Sequence, residues 1–541
     1  MSDVDLESAV ELQLESGKTA TIEGLTSTSG TECFRFSYRG KTGIAARKLF
    51  VTSDSDAKQE LSKQGLVITS KPDWREIVSG IESIESFPPE LVFEKVGWHD
   101  GHFVRTDGKI FSPRGSGRGR QALPSGVRRY PRSGTYMEWR DEVGGLLTGQ
   151  TLPMIAAMCP FAAPLLAFAG IEDNFGFDFW GPGGKGKTTL QSLIASVSGD
   201  PGDFARFDAT QVGIQSLFDS YEGSALPIDE ASLADRKDKH FFKDMIFRLA
   251  SGTLRINAYR QDLDRRRFVF ITNGNRPYYE ALEALDPDTV DAAKQRLIPL
   301  RVDGDLGVLN TLPEGFASSG DAIKELTARL KQYHGSALPR FMRRLVTVRS
   351  LDPGKFDAKL REDVKRFERE VGVASSVAGT SRVSSAFGLL AAAGELAQGF
   401  RALPPSWNCR QACREGYRNY LDQLQDHAPL HARLLAIAQH QQTVDLRNAD
   451  KLPRLKDSEL SRLRGFLAKG KGGRVELQLT PEYARQAFPD WRMIKSSADF
   501  EACILADKGR RTRQRKVRKG KGLERLVCFV LPPEIVEQLD N

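Results

Sequence analysis

Apolar residues along the chain alternate between strand spacing and helical spacing, with one long uncharged run between them. Phe175-Gly-Phe-Asp-Phe-Trp180 reads as a short strand, and Thr188-Thr-Leu-Gln-Ser-Leu-Ile-Ala-Ser-Val197 is amphipathic at helical spacing. Ser224-Ala-Leu-Pro-Ile-Asp229 and Arg267-Phe-Val-Phe-Ile-Thr-Asn273 are further strand candidates, each ending in a polar side chain. Pro227 lacks a ladder donor, so the first of these should be irregular there. A strand-like run also follows Arg296. Near the N-terminus, Thr19–Glu23 and Glu32–Tyr38 alternate as strands do, before a helix-like segment that stops ahead of Pro88-Pro89. Gly320–Tyr333 and Lys355–Val371 have helical periodicity, and Ala386–Arg447 is mainly helical with a break at Pro404-Pro405. At the far end, Ser497–Ala506 reads as a short helix and Leu523–Leu531 as a strand. The run Thr151–Gly170 has no charge and is long enough to span a membrane, but it contains three prolines. A buried helix packed on a sheet is the expectation for it.

Between the first strand and its helix lies Gly181-Pro182-Gly183-Gly184-Lys185-Gly186-Lys187-Thr188, followed by Thr189: a complete G-x-x-x-x-G-K-[ST] phosphate loop in strand–loop–helix context. The glycines let successive backbone N–H groups turn inward around a triphosphate. Lys187 can reach the β- and γ-phosphates, and the Thr188 hydroxyl can ligate magnesium. Hydrolysis needs a second strand that delivers carboxylates beside the metal. Asp229 and Glu230 end the next apolar run, so Asp229 would hold magnesium through its water shell while Glu230 orients the attacking water. In an open α/β sheet ligands sit outside the carboxyl ends of the strands, which places Asn273 within reach of the γ-phosphate or the attacking water. Arg296, set against a neighbouring subunit's nucleotide, would stabilise charge on the transferring phosphate.

Charge changes the picture by its distribution. The 541-residue chain carries +8 overall, yet Lys508–Lys521 holds nine basic residues and no acid, and Lys109–Thr135 holds seven and none. The remainder is therefore −8. Such concentration suggests phosphate-backbone partners. Arg510, Arg511, Arg513, Arg515 and Lys516 lie between the C-terminal helix and strand candidates, in the outline of a winged-helix domain whose wing would touch DNA phosphates. The glycine-rich Lys109–Arg120 stretch reads equally as a DNA contact or a solvated insertion. Arg255, Tyr259, Arg260 and Arg265 interleave arginines with an aromatic ring, the chemistry of sequence-tolerant single-strand binding. Six cysteines with no paired framework suggest reduced thiols, Cys409 and Cys413 make a weak zinc case, and the acidic Met1-Ser-Asp-Val-Asp lacks a signal-peptide pattern. A cytoplasmic location is the expectation.

The order of Gly181–Thr188, Asp229-Glu230, a basic segment, Asn273 and Arg296 resembles the motor of superfamily III viral and phage-type helicases, within the AAA+ ATPases. More closely, Val96-Gly-Trp-His99 through the uncharged Ala- and Pro-rich segment to the phosphate loop resembles the bacterial domain-of-unknown-function 927 family, found in helicase-like proteins of phages and mobile elements. The resemblance covers roughly residues 90–305 and, more loosely, the C-terminal end. The superfamily III likeness implies a β-hairpin between the acidic strand and the asparagine that grips single-stranded DNA in a central pore, here around Arg255–Arg267. It also implies a ring, a homo-hexamer by family analogy, with ATP and Mg2+ between subunits.

The resulting expectation is an α/β protein. A small α/β module (1–90) and a family-specific region (91–170) precede an AAA+ P-loop ATPase core (171–335), which is followed by a helical linker (336–430) and a winged-helix-like DNA-binding domain (431–541). The expected activity is that of an ATP-dependent DNA helicase or translocase in replication of a phage or mobile element, acting on single-stranded or forked DNA with replication proteins as possible partners and no membrane. Two alternatives stand beside it: an ATPase that is an initiator, loader or defence switch without processive unwinding, and a nucleotide-regulated DNA-binding protein.

Overall fold

The computed structural model describes residues 8–540 except 94, 115–120, 123–127, 207–219, 230–238, 254–264, 284–288, 373–379, 427–429, 450, 461, 471–472, 489–502, 506–512 and 520–521. They fall into two units, Met1–Tyr417 and Arg418–Asn541.

Alternation at the N-terminus produces an antiparallel meander of four strands, β1 (Ala9–Gln13), β2 (Thr19–Thr26), β3 (Glu32–Tyr38) and β4 (Lys41–Ala46). Its inward residues Ile22, Phe34 and Phe36 pack against Leu61, Trp74 and Ile77 from the helices Asp54–Lys63 and Lys71–Glu82. Short strands follow: β5 (Val92–Phe93) pairs with β9 (Gln121–Ala122), and β6 (Gly97–His99), β7 (His102–Val104) and β8 (Ile110–Phe111) form a small sheet.

The larger sheet consists of β10 (Gly176–Trp180), β11 (Ala205–Arg206), β12 (Ala225–Asp229), β13 (Val269–Gly274) and β14 (Leu297–Arg301). All pairs are parallel, in the spatial order β11-β12-β13-β10-β14. These strands read as nearly continuous apolar runs because both faces are covered. On one face, Met245, Ile246 and Leu249 of the helix Lys239–Ser251 pack with Leu226, Phe268 and Phe270. The other receives the helices Thr151–Ala162 and Lys187–Ser198, and Phe177 meets Phe387 of the helix Thr380–Gly399 at 5.2 Å between ring centroids. Every residue of Thr151–Ala162 is buried. Burying a large apolar side chain contributes about 1.5–3 kcal/mol, so this uncharged helix is a core element. Among the described residues no helix is long and apolar enough to cross a membrane.

The irregularity expected at Pro227 does not occur: Pro227 sits in register with Ile271 inside β12. Ser224 O accepts from Val269 N, so alternate residues from Ser224 address β13 and Pro227 addresses the opposite flank. There β11 reaches only Ile228 and Asp229, so the missing proline donor has little ladder to disrupt.

The helices Ser319–Gln332, Ala337–Leu351, Pro353–Glu370, Thr380–Gly399 and Cys409–Asp426 follow, the last running across the division between units. Ala337–Leu351 lies within the span 336–430 expected to be helical. The second unit holds a mixed six-stranded sheet, β15 (Thr443–Asp445), β16 (Gly465–Lys469), β17 (Val475–Leu479), β20 (Glu524–Val530) and β18 (Ile504–Leu505) in that order, with β19 (Arg513–Arg515) also paired to β20. The helices Leu430–Ala438, Pro481–Ala487 and Pro533–Asp540 add Leu434, Ala484 and Ile535 to its core with Leu477 and Phe529. This sheet is larger than the wing-and-helix outline anticipated. Ile504 and Leu505, expected as the end of a helix, pair with Phe529 and Cys528 instead, because these apolar residues add to a sheet edge. All six cysteines are buried free thiols.

Candidate functional site

The chain turns sharply after β10. Gly181 has φ +155° and a Cβ there would lie 2.1 Å from Val302 O, while Gly184 and Gly186 have φ of +74° and +86°. No side chain fits the first position, and the other two favour glycine. A neighbouring loop braces the turn: Lys185 O accepts from Val308 N at 3.0 Å, and Lys185 Nζ donates to Gly304 O and Asp305 O at 3.2 and 3.3 Å. The helix Lys187–Ser198 begins directly at the loop, so its first N–H groups and its dipole face the space above.

That space is a cleft of about 520 Å³ lined by Gly183 to Thr189, Asp229, Asn273, Gly274, Asn275 and Ile323. Lys187 is 7% exposed, and its Nζ donates to Gly181 O and Pro182 O at 2.8 Å and to Asn275 Oδ1 at 3.2 Å. Burial lowers its pKa, opposed by the negative charge of Asp178. Three acceptors therefore point an ammonium at the loop. Asn273 Nδ2 donates to Asp229 Oδ1 at 2.8 Å, which orients the carboxylate from the next strand. Thr188 is exposed at the loop and Asp229 is half-buried across from it. Donor N–H groups, a lysine, a hydroxyl and an oriented carboxylate around one cleft suit a triphosphate with a hard divalent cation. Glu230 lies outside the described residues.

Two participants were missed by sequence reasoning. Asn275, two residues beyond β13's asparagine, carries a polar side chain in the same stretch and could have been suspected. Asp178 sits inside β10, fully buried, with Thr272 Oγ1 donating to its Oδ1 at 2.6 Å. Burial pushes its pKa up to about 7, against the Thr272 side-chain bond, a Tyr278 backbone bond and the charge of Lys187.

Arg296 does not line this cleft. It precedes β14, at the opposite end of the strands, beside Phe247 at 4.9 Å and Asp173 at 3.8 Å, and donates to Ala292 O. Asp173 also receives Arg265 at 2.7 Å and Arg382 at 3.0 Å. Arg265 further donates to Ser251 O and Glu172 O, so it braces the fold. Arg255, Tyr259 and Arg260 lie outside the described residues, but the ends of their segment meet: Arg266 N donates to Gly252 O at 2.9 Å, and Asn174 Nδ2 donates to both Leu249 O and Arg266 O. In the second unit Arg515 donates to both carboxylate oxygens of Glu476 at 2.9 Å, Arg513 is half-buried in β19 and Lys516 is exposed; Arg510 and Arg511 lie outside the described residues.

Ahead of the core, the β6–β7 hairpin docks on the uncharged segment. Trp98 Nε1 donates to Pro164 O at 2.8 Å, and its ring meets Phe168 edge-on at 4.9 Å. The residues Val96–His99 and the run from Thr151 are thus one packing unit.

Residues 24–266 match the family model for the domain of unknown function DUF927. That match covers less than half of the chain. It starts earlier and ends earlier than the resemblance drawn from the sequence, taking in the end of β2, then β3 and β4, and stopping before β13. The matched stretch holds the phosphate loop and Asp229, while Asn273 follows it. No curated protein matches the chain. A solved structure described as SCCmec type IV Cch, an active helicase, superposes with a TM-score of 0.56 at 14% identity, over 96% of this chain and 95% of that one. At that identity the likeness establishes a shared fold.

Proposed function

We propose that the chain is an ATP-dependent DNA helicase or translocase of a phage or mobile element, built on an AAA+ core and working as a homo-hexameric ring. The observation that carries this is the cleft in which Lys187, Thr188, Asp229 and Asn273 converge from three adjacent parallel strands. The insertion of β13 between β10 and β12 supports the AAA+ reading, since it sets Asn273 between the phosphate loop and the acid. The protein whose fold it shares is an active helicase.

In this reading a bound Mg2+ would supply charge neutralisation for the phosphate chain of ATP. Gly181 to Thr189 cradle the phosphate chain, with Lys187 on its terminal groups. Thr188 and Asp229 would hold the metal, Asn273 orients Asp229 and would contact the γ-phosphate, and Glu230 would position water. Arg296 serves the nucleotide of the adjacent subunit, consistent with its distance from its own chain's cleft. The segment joined at Gly252 and Arg266 carries Arg255, Tyr259 and Arg260 to single-stranded DNA. In this reading the β19–β20 hairpin serves as the wing, and Arg510, Arg511, Arg513 and Lys516 would contact DNA phosphates.

Steady-state ATP turnover with and without single-stranded DNA tests this. Stimulation by DNA is expected; normal basal turnover with no stimulation would instead favour a loader, initiator or switch.

A further inference from the structure

Outside the cleft, the fold gathers cations from three separate stretches of chain. The β7–β8 hairpin carries Arg105 and Lys109, which both lie over the ring of Phe111, at 5.9 and 5.6 Å. The helix Ala337–Leu351 packs on both strands of this hairpin and contributes Arg340 and Arg343. Paired backbone bonds between Ser133 and His334 fasten the segment bearing Arg132 beside the start of that helix. Lys109, Arg132 and Arg343 are exposed.

Compensation is thin. Asp107 pairs with Arg105 through both carboxylate oxygens. Lys109 is lowered by burial and then by the charges of Arg105, Arg343 and Arg132, with Asp107 opposing. Arg343 is lowered by burial and then by Arg132, Arg340 and Arg105. Crowding like charges costs the folded chain electrostatic energy, which a polyanion would relieve. Two tyrosines sit among the cations: Arg105 lies 3.9 Å over the ring of Tyr130, and Arg340 lies 4.8 Å over that of Tyr136. Guanidinium groups interleaved with aromatic rings suit an unpaired strand, whose phosphates need charge and whose bases need flat partners.

We propose that Arg105, Lys109, Arg132, Arg340 and Arg343 form a binding surface for the phosphate backbone of single-stranded DNA, sharing no residue with the phosphate-loop cleft. The choice of DNA as the polyanion rests on the helicase reading; the gathering of charge does not. Part of the basic Lys109–Thr135 stretch thereby has a use. Arg128 in the same stretch does not join it, being buried against Asp203 at 2.7 Å and the ring of Tyr221 at 3.9 Å.

The test uses the full chain with Lys109→Gln, Arg132→Gln and Arg343→Gln combined. Binding of a labelled oligothymidylate is followed by anisotropy without ATP, from about 50 to 200 mM salt. Each phosphate contact on a single strand contributes about 0.7 to the log–log salt slope, so the variant's slope should be smaller by about 2 and its affinity at low salt about tenfold weaker. Melting temperature and DNA-free ATP turnover should match the parent. Should the triple variant fail to fold, Arg343→Gln alone should reduce the slope by about 0.7. An unchanged slope and affinity would overturn the surface. Displacement of the oligonucleotide by poly-glutamate at equal charge concentration would overturn the nucleic-acid assignment in favour of an acidic protein. Failure of the motor reading appears elsewhere: ATP turnover would ignore DNA while the slope difference persists.

Discussion

Asn273 Nδ2 donates to Asp229 Oδ1 at 2.8 Å, joining the ends of two neighbouring strands at the mouth of the cleft. A carboxylate held this way presents its other oxygen in a fixed direction. Groups that orient a metal ligand are worth about 10–100-fold in metal affinity or activity. Asn273→Ala should therefore lower turnover by about that factor and raise the magnesium concentration needed for half-maximal rate. A magnesium titration of ATP turnover measures both, and an unshifted midpoint would remove the orienting role.

Lys187 is placed by Gly181 O, Pro182 O and Asn275 Oδ1, all within the loop and the segment after β13. Lys187→Ala should abolish turnover and weaken nucleotide binding, read with a fluorescent ATP analogue. Asn275→Ala should retain binding but lose part of the affinity, because the ammonium loses one of its three acceptors. Turnover unchanged in Lys187→Ala would dismantle the whole functional reading.

Gly181→Ala introduces a methyl group 2.1 Å from Val302 O at a φ of +155°. The loop must shift to accept it, at a cost above about 1 kcal/mol. A lower melting temperature together with at least tenfold weaker nucleotide binding is the expected pair of results. A full-affinity variant would mean that the loop geometry is not used.

Asp178 yields a pH prediction. Burial holds its folded pKa near 7, whereas an unfolded aspartate ionises near 3.9. Between about pH 4 and 7 the folded state carries the extra proton, so rising pH removes stability across that window and the deficit is complete above it. Asp178→Asn keeps an acceptor for Thr272 and cannot ionise. Its melting temperature relative to the parent should rise between about pH 4 and 7 and level off beyond. A constant difference across that range would refute the buried titration.

Arg296→Ala should leave ATP affinity intact and stop hydrolysis. Since Arg296 also contacts Asp173 and the Phe247 ring, its melting temperature must be measured in parallel. Mixing it with Lys187→Ala subunits distinguishes action across an interface: partial recovery of turnover is expected, and none would make Arg296 a structural residue.

The sequence by itself determined the local chemistry: the phosphate loop, the acid-ended strand, the apolar runs of the parallel sheet and the buried nature of Thr151–Ala162. Each depends on residues close in the chain, where glycine freedom, side-chain spacing and the absence of charge act within a few bonds. It could not give the order of the strands, and so could not tell that Asn273 would stand beside Asp229, nor that Pro227 would face a flank with almost no partner strand. The pairing of Ile504 and Leu505 was also out of reach, because apolar residues in short runs take whichever structure the neighbouring surface completes. Asp173, binding three arginines from separate segments, and the cluster around Arg343 have no local signature at all. Coulomb forces act through space, and only the tertiary structure decides which charges are near enough to feel them.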